Sequence, residues 1–352
     1  MRRLLPLVLS AMLAPAAYAL PGGVVLPGCT LPAPPPAPSA LEGNGYVRLG
    51  ADGTASWVVN GARWGSWHGA SSAYWMEPLD VTRPTPLCVD GVPVALAVRA
   101  QQEALGRVAW SPDGTRLAYA EGGVLKVRTG SAVVSYGTVA SFAWSPAGDA
   151  LLVDGPRVVA LGGTVTALDV SDAVWGGGRV FGHGDWVYDP DTDLMLPEVV
   201  SVLPDGSDRQ AHGTGAFAVS GDGTRIALVG EDGFRVVAPD GTDLGSAAVA
   251  SPDGVTFAAD GTVAFTSGAV AHTWDGTAVT AHPTGRLAYD VHWAGTHLWW
   301  NDTDAAGTVR LVVDGTAVAT AAYAHDLDVV RRDADGSLLV EVERLRGLPT
   351  NG

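Results

Sequence analysis

Residues 108–119 read Val-Ala-Trp-Ser-Pro-Asp-Gly-Thr-Arg-Leu-Ala-Tyr, and this stretch decides the fold. Apolar residues flank a Ser-Pro-Asp-Gly turn, in which proline presets φ and glycine tolerates a positive φ. A strand, a tight turn and a second strand therefore follow one another without a gap. The pattern predicts a β-hairpin.

The same unit recurs along the chain, which indicates a repeat protein. Further copies of the turn place their glycines at Gly148, Gly223 and Gly254, and weaker copies at Gly69, Gly177, Gly295 and Gly336. A second turn, of the form Asp-Gly-Thr, alternates with the first. Its glycines, some in degenerate copies, are Gly53, Gly91, Gly130, Gly163, Gly206, Gly241, Gly276 and Gly315. Their mean spacing of about 37 residues is close to the roughly 40 residues of a four-stranded propeller blade.

The two alternating turns predict an all-β fold, a β-propeller whose strands we label a to d from the central channel outward. The first turn joins a to b and the second joins c to d, so eight of each favour eight blades. Seven blades is the alternative, because residues 62–100 are irregular. The domain opens with a c–d hairpin (residues 46–59) and ends with an a–b hairpin (residues 327–342). Pairing of these two halves would close the ring and hide its strand edges.

Residues 110–118, Trp-Ser-Pro-Asp-Gly-Thr-Arg-Leu-Ala, resemble the WD40-like repeat of the TolB-type propellers. The resemblance covers about residues 45–345, with four sharp copies of the motif. It implies a propeller architecture that serves as a binding platform in some proteins and as part of an enzyme in others. It assigns no catalytic residue.

The N-terminus predicts an export signal. Arg2 and Arg3 precede an apolar stretch from Leu4 to Leu13, and Ala17-Tyr18-Ala19 follows as a small-x-small cleavage pattern. The predicted organisation is a signal peptide at 1–19, or alternatively a lipoprotein signal at 1–28. A proline-rich tail at 20–44, a propeller at 45–346 and a short tail at 347–352 follow. The predicted location is periplasmic, cell-surface or secreted.

The chain has two cysteines, Cys29 and Cys88. In an oxidising compartment an even count favours one disulfide, which would pin the tail to the first blade. The alternative is a lipid anchor at Cys29, because residues 26–29 (Leu-Pro-Gly-Cys) form a loose lipobox. Lipidation would leave Cys88 as a lone thiol.

The charge balance bears on partners. The formal net charge is −16 at pH 7, and a surface of that sign repels phosphate backbones, so no nucleic-acid partner is expected. No stretch of 18 apolar residues follows residue 30, which predicts no transmembrane segment in the mature chain. The expected partner is a protein or an envelope polymer.

Candidate site residues lie on the b–c and d–a connections, because variable loops on a rigid scaffold usually carry recognition. Two b–c connections stand out, residues 182–199 in blade 4 and residues 301–308 in blade 7. Aromatic and polar side chains there can anchor a peptide or stack on a sugar. The candidate binding residues are Trp186, Tyr188, Trp300, Asn301, Tyr323, His325 and Asp326. Four other tryptophans lie on innermost strands (strand a of their blades) and are predicted to pack between blades: Trp110, Trp144, Trp175 and Trp293.

Alternating carboxylates at Asp189, Asp191 and Asp193 resemble the first half of a calcium loop, so Ca²⁺ is the one cofactor the sequence suggests. Leu194 stands where such a loop needs a glycine, which favours a solvated acidic loop. No phosphate loop, dinucleotide fingerprint or nucleophile elbow occurs. The sequence therefore predicts an exported binding scaffold. The alternative is a propeller hydrolase, lactonase or lyase acting at the channel mouth.

Overall fold

The structure is a computed structural model that describes Cys29 and residues 45–50, 55–60, 62–76, 85–97, 108–189, 193–282, 285–294, 296–304, 306–321, 325–332 and 337–344. The described residues form 32 strands and no helix. The strands pair into eight antiparallel four-stranded sheets, and successive sheets contact one another around a ring. The chain is an eight-bladed β-propeller. Predicted segments 1–28, 30–44 and 347–352 lie outside the described residues.

Blade 8 comes from both ends of the described chain, and blades 1 to 7 follow in chain order. Blade 8 contains β1 Gly45–Leu49 and β2 Ala55–Asn60 from the N-terminal side, paired with β31 His325–Arg332 and β32 Leu338–Arg344. Blades 1 to 3, innermost strand first, are β3 Ala62–His68, β4 Ser71–Met76, β5 Thr85–Val89 and β6 Val92–Ala97; β7 Val108–Trp110, β8 Arg116–Glu121, β9 Val124–Thr129 and β10 Ala132–Thr138; β11 Phe142–Trp144, β12 Ala150–Val153, β13 Arg157–Ala160 and β14 Val165–Ala167.

Blades 4 to 7 continue the same order, with one insertion in blade 4. Their strands are β15 Ser171–Gly176, β16 Arg179–Asp189, β17 Leu194–Val202 and β18 Gln210–Thr214; β19 Ala216–Val219, β20 Ile226–Gly230, β21 Gly233–Val237 and β22 Asp243–Ala248; β23 Asp253–Phe257, β24 Val263–Ser267, β25 Val270–Trp274 and β26 Val279–Ala281; β27 Leu287–Ala294, β28 His297–Thr303, β29 Val309–Val313 and β30 Thr316–Ala321.

The predicted closure is confirmed, because β1 pairs with β32 in register, with Val47 opposite Val340 and Tyr46 opposite Glu341. The Tyr46 hydroxyl donates to Glu341 Oε1 (2.7 Å) and accepts from the Gly65 N–H (2.5 Å), which ties blade 8 to blade 1. The edges of β1 and β32 that would otherwise be open are thereby paired with each other, and β31 and β2 become the innermost and outermost strands of one sheet. The ring is held by hydrogen bonds and by apolar side chains from both ends of the chain.

The Ser-x-Asp-Gly-Thr-Arg turn is a hydrogen-bonded unit, and this explains why it repeats. The buried Ser111 hydroxyl donates to Asp113 Oδ1 (2.5 Å) and accepts from the Arg116 N–H (3.0 Å). Asp113 also accepts from the Thr115 N–H and hydroxyl. Arg116 then reaches the next blade and donates to the Gly148 carbonyl oxygen (3.0 Å). One short motif therefore shapes its own turn and links neighbouring blades.

These turns predict how stability depends on pH. The Ser111 hydroxyl, followed by the Thr115 donors, lowers the pKa of Asp113 to about 2. The Ala278 N–H, followed by the Thr277 hydroxyl and N–H, lowers the pKa of Asp275 to about 2. Because these folded-state pKa values lie below the ordinary 3.8, their stabilisation is present above pH 4 and is lost as the pH falls towards 2. Burial lowers the pKa of His212 below 6.5, which adds a weaker loss as the pH falls below 6.5.

We therefore expect the melting midpoint to decline slightly from pH 7 to 5 and steeply from pH 4 to 2. Circular dichroism melts across this range measure it. In a D113N/D275N variant the steep part should shrink, because asparagine does not titrate. A midpoint that stays constant between pH 5 and pH 2 would contradict the assignment.

The tryptophans on the inner strands pack between blades, as predicted. The indole N–H of Trp144 donates to the Ala109 carbonyl oxygen (2.9 Å), and that of Trp175 donates to the Ala143 carbonyl oxygen (3.2 Å). Each bond joins an inner strand to the inner strand of the preceding blade. Trp110 and Trp293 are half-buried against neighbouring apolar clusters.

One predicted turn is wrong. Residues 251–254, Ser-Pro-Asp-Gly, were predicted to join strands a and b of blade 6, but β23 begins at Asp253. The a–b turn of this blade is residues 258–262, where the Gly261 N–H donates to the Ala258 carbonyl oxygen (3.0 Å). The Ser-Pro-Asp-Gly sequence therefore lies on the d–a connection, on the opposite face of the ring.

Cys29 and Cys88 form a disulfide whose Cα atoms are 5.8 Å apart. Both residues are buried in a cluster with Tyr46, Tyr74 and Leu339, between blades 8 and 1. This agrees with the disulfide interpretation of the two cysteines. The bond attaches the chain before the propeller to the junction where the ring closes.

Candidate functional site

The blade 4 insertion is a β-hairpin rather than the loop that the sequence suggested. Strands β16 and β17 are 11 and 9 residues long, and their pairing continues to Asp189 opposite Leu194. In blade 2 the corresponding strands are joined directly at residues 122–123. We call the described residues 186–189 and 193–197 the blade 4 hairpin. It extends beyond the sheet on the face that carries the b–c connections.

The blade 4 hairpin is apolar on both faces. Trp186 pairs with Pro197 and Tyr188 pairs with Met195, and since side chains alternate along a strand these four share one face. Val187, Leu194 and Leu196 lie on the other face. The exposed fractions are 65% for Trp186, 59% for Tyr188, 56% for Leu194 and 52% for Met195. Large apolar side chains exposed together in this way mark interaction surfaces.

Arg209 holds the base of the hairpin on one side. Its guanidinium donates to Glu198 Oε2 (3.1 Å) on β17 and to the Asp169 carbonyl oxygen (3.0 Å) on the preceding d–a connection. A bulge between His183 and Trp186 places Gly184 beside it. A Cβ atom on Gly184 would lie 2.2 Å from Arg209 Nη2, so this glycine makes room for the guanidinium.

His183 holds the base on the other side. Its Nδ1 lies 3.1 Å from Asp172 Oδ2, and its Nε2 lies 3.0 Å from the carbonyl oxygen of Gly215. The ring also meets Phe217 edge-on, with centroids 5.0 Å apart. Both ring nitrogens are therefore engaged, and His183 joins blade 4 to blade 5. Together with Arg209 it fixes the direction in which the hairpin projects.

A groove of about 1210 Å³ runs between the hairpin and blade 5, and we call it the hairpin groove. One wall is formed by Leu194 and Leu196, from the hairpin face opposite Trp186. The other wall is formed by the b–c turn of blade 5 at residues 230–233 and by residues 251–253 of the next d–a connection. Residues 213–216 lie between these two walls.

The wall on blade 5 is acidic, and backbone hydrogen bonds join its two segments. Glu231, Asp232 and Asp253 line the groove, and Arg235 is the cation among the described lining residues. The Ser251 N–H donates to the carbonyl oxygen of Glu231 (2.6 Å), and the Val249 N–H donates to that of Asp232 (3.1 Å). Sequence reasoning missed this wall, because Ser-Pro-Asp-Gly at 251–254 was read as a turn of the scaffold. The signal that could have located the real turn is Asp-Gly-Thr at residues 260–262, because the same three residues form the a–b turns at 113–115 and 222–224.

Two predicted binding residues are in the interior. Trp300 and Asn301 lie on β28, with exposed fractions of 0% and 1%, and Asn301 Nδ2 donates to the Leu327 carbonyl oxygen (2.9 Å). Their prediction as loop residues is wrong, because β28 extends to Thr303 and the connection begins at Asp304. The buried Asn301 is therefore not an accessible glycosylation acceptor, although Asn-x-Thr matches that pattern.

The remaining predicted residues do not gather at one place in the described structure. Trp186 and Tyr188 lie on the blade 4 hairpin, while the backbones of His325 and Asp326 open β31 in blade 8. Tyr323 lies outside the described residues.

Two of the three predicted calcium ligands, Asp189 and Asp193, are described and lie near the end of the hairpin. Asp189 ends β16, Asp193 Oδ1 accepts from the Tyr188 hydroxyl (2.7 Å), and Asp191 lies outside the described residues. In the part of the chain that the structure describes, no three His, Cys, Asp or Glu side chains are grouped as a metal site would require. The same described residues include no helix long and apolar enough to cross a membrane.

Comparison with known proteins finds similarity only among solved structures. No protein-family model matches the chain, and no curated protein matches it. The acylaminoacyl peptidase of Pyrococcus horikoshii is 13% identical, with a TM-score of 0.47, over 76% of this chain and 55% of that one. The β-propeller domain of the Trilobed protease from Pyrococcus furiosus is 12% identical, with a TM-score of 0.47, over 73% and 95%. The Dos1 propeller is 9% identical, with a TM-score of 0.47, over 85% and 95%.

Proposed function

We propose that this chain is an exported binding module whose blade 4 hairpin anchors a protein partner. The observation that carries the proposal is the exposure of four large apolar side chains on a hairpin fixed at its base. These are Trp186, Tyr188, Leu194 and Met195. Aromatic anchors on a rigid support lose little conformational entropy on binding, and such residues dominate the energy of protein interfaces.

The composition of the hairpin favours a protein over an envelope polysaccharide. Sugar sites combine an aromatic platform with free polar groups, but the Tyr188 hydroxyl already donates to Asp193. The neighbours on the aromatic face are Met195 and Pro197, and methionine adapts its shape to apolar protein surfaces. An aromatic and aliphatic surface of this kind suits side chains of a partner protein.

Export is part of the same proposal. The leader pattern at residues 1–19 and the Cys29–Cys88 disulfide support a location outside the cytoplasm, because disulfides persist in oxidising compartments. The Ser-x-Asp-Gly-Thr-Arg turns further support a relationship to the TolB-type WD40-like repeats.

Mass spectrometry of the protein from its native envelope tests both alternatives at Cys29, the disulfide and the lipid anchor. A mature chain that carries a diacylglycerol there would replace the disulfide by a lipid anchor.

The hairpin is tested by affinity capture from envelope extract with the mature chain and with a W186A/Y188A variant. We expect the variant to bind the captured protein at least tenfold more weakly, since two anchor residues together contribute about 2 kcal/mol or more. A V133A/V134A variant is the matched control, because it removes two exposed valines from β10 in blade 2.

Equal binding by the wild type and the W186A/Y188A variant would refute the hairpin as the anchor. Recovery of a protease-resistant polymer in place of a protein would assign the surface to an envelope polymer. Melting curves for each variant check that the fold is retained, which we expect because both hairpin side chains are exposed.

A further inference from the structure

We infer that the hairpin groove binds an extended, positively charged peptide segment of the partner protein. The inference rests on the proposed function, and it adds which part of the partner is recognised and by what chemistry. The groove lies on the face of the hairpin opposite Trp186 and Tyr188, and Leu194 is the side chain that the two proposals share. The W186A/Y188A variant and the variants of the acidic wall therefore test the two proposals separately.

The shape of the groove favours a peptide over a small molecule. Pockets for drug-sized ligands have volumes of about 300–1000 Å³, and this groove is larger and open to solvent. Its lining includes Gly213 and Gly215, which lie between the Leu194 and Leu196 wall and the wall on blade 5. An extended chain presents alternate side chains to opposite sides. It could therefore place apolar side chains on the leucines and polar ones on the opposite wall.

The charge of the groove indicates which polar side chains of the peptide would face the blade 5 wall. Within the described part of the chain, Glu231 and Asp232 form no ion pair, and Asp253 Oδ1 accepts a hydrogen bond from the Gly254 N–H (2.8 Å). With Arg235 as the opposing cation, the lining carries an excess of negative charge. The whole chain adds a field of the same sign, with a net charge of −16. Lysine and arginine side chains are the complementary partners.

The acidic wall is also positioned before any ligand arrives. The hydrogen bonds from Ser251 to Glu231 and from Val249 to Asp232 fix the b–c turn against the d–a connection. Ser251 has a φ of 45°, an uncommon conformation for a residue with a side chain. A wall that is already ordered costs little further entropy when a peptide binds.

The test is selection of random peptides displayed on phage against the full mature protein, followed by affinity measurement with synthetic fluorescent copies of the enriched peptides. We expect the enriched sequences to carry several Lys or Arg residues interspersed with Leu, Ile, Val or Phe. The E231Q/D232N/D253N variant should bind them at least tenfold more weakly, and raised salt should weaken binding to the wild type. The L194S variant should also bind more weakly, through the apolar wall.

A D205N/D240N/D275N variant is the matched control, because it removes the same charge from turns on the opposite face of the ring. It should change affinity by less than about twofold. Enrichment of acidic or uncharged peptides, no enrichment, or equal weakening by the two triple variants would overturn the inference. Retained peptide binding by W186A/Y188A supports a distinct groove. If that variant loses the captured protein while the groove variant keeps it, the proposed function stands and this inference fails.

Discussion

Replacing Trp300 by alanine is expected to lower the free energy of unfolding by about 3–5 kcal/mol, the cost of removing a large side chain from a packed core. Trp300 is fully buried between blades 6 and 7, against a cluster that includes Ala264, Leu298 and Val312. Urea titration followed by tryptophan fluorescence and circular dichroism measures the loss.

Trp186→Ala is the matched control for this prediction, because it removes the same side chain from an exposed position. We expect it to change the free energy of unfolding by less than about 0.5 kcal/mol while weakening partner binding. Trp300→Phe should cost less than Trp300→Ala, since it keeps most of the apolar volume. If W300A proved as stable as W186A, the burial of β28 would be wrong.

Removal of the Cys29–Cys88 disulfide is expected to destabilise the protein by about 4 kcal/mol. The bond closes a segment with a sequence separation of 59, and a cross-link over a loop of this length restricts the unfolded chain by about that amount. Urea titrations of the C29S/C88S variant and of the wild type, both without reductant, measure the difference.

The single variants C29S and C88S serve as controls, because each breaks the same bond. Both should lose nearly as much stability as the double variant, apart from the cost of a buried polar atom at each site. A wild-type protein that keeps its midpoint after full reduction would show that the tail contributes nothing to closure.

The repeat architecture could be predicted because its determinants are local. The Ser-x-Asp-Gly-Thr-Arg turn builds its own hydrogen bonds between Ser111 and Arg116, so the sequence alone indicates where the hairpin bends. The blade count followed from alternation of two such turns, and closure followed from the half-blades at residues 46–59 and 327–342. Each of these inferences needs only neighbouring residues and a period.

The candidate site could be predicted only in part, because it depends on contacts between distant residues. Trp186 and Tyr188 were identified from their place in an insertion, but the pairing that separates the hairpin faces is a property of β16 and β17 together. Trp300 was misplaced because the length of β28 is set by its pairing with β29 rather than by a local turn signal. The acidic wall combines residues 231–232 with residue 253, and nothing in the sequence brings these segments together.

The bond between Tyr46 and Glu341 joins residues 295 positions apart, and this separation sets the order in which the molecule can be completed. Strand β1 has no partner on one side until the final strands have been synthesised. Sheets that depend on such distant pairings form slowly, so a chain that is still emerging has no finished ring to unravel. If the chain is exported unfolded, as the proposed function implies, the ring can close only after its last strands have been translocated.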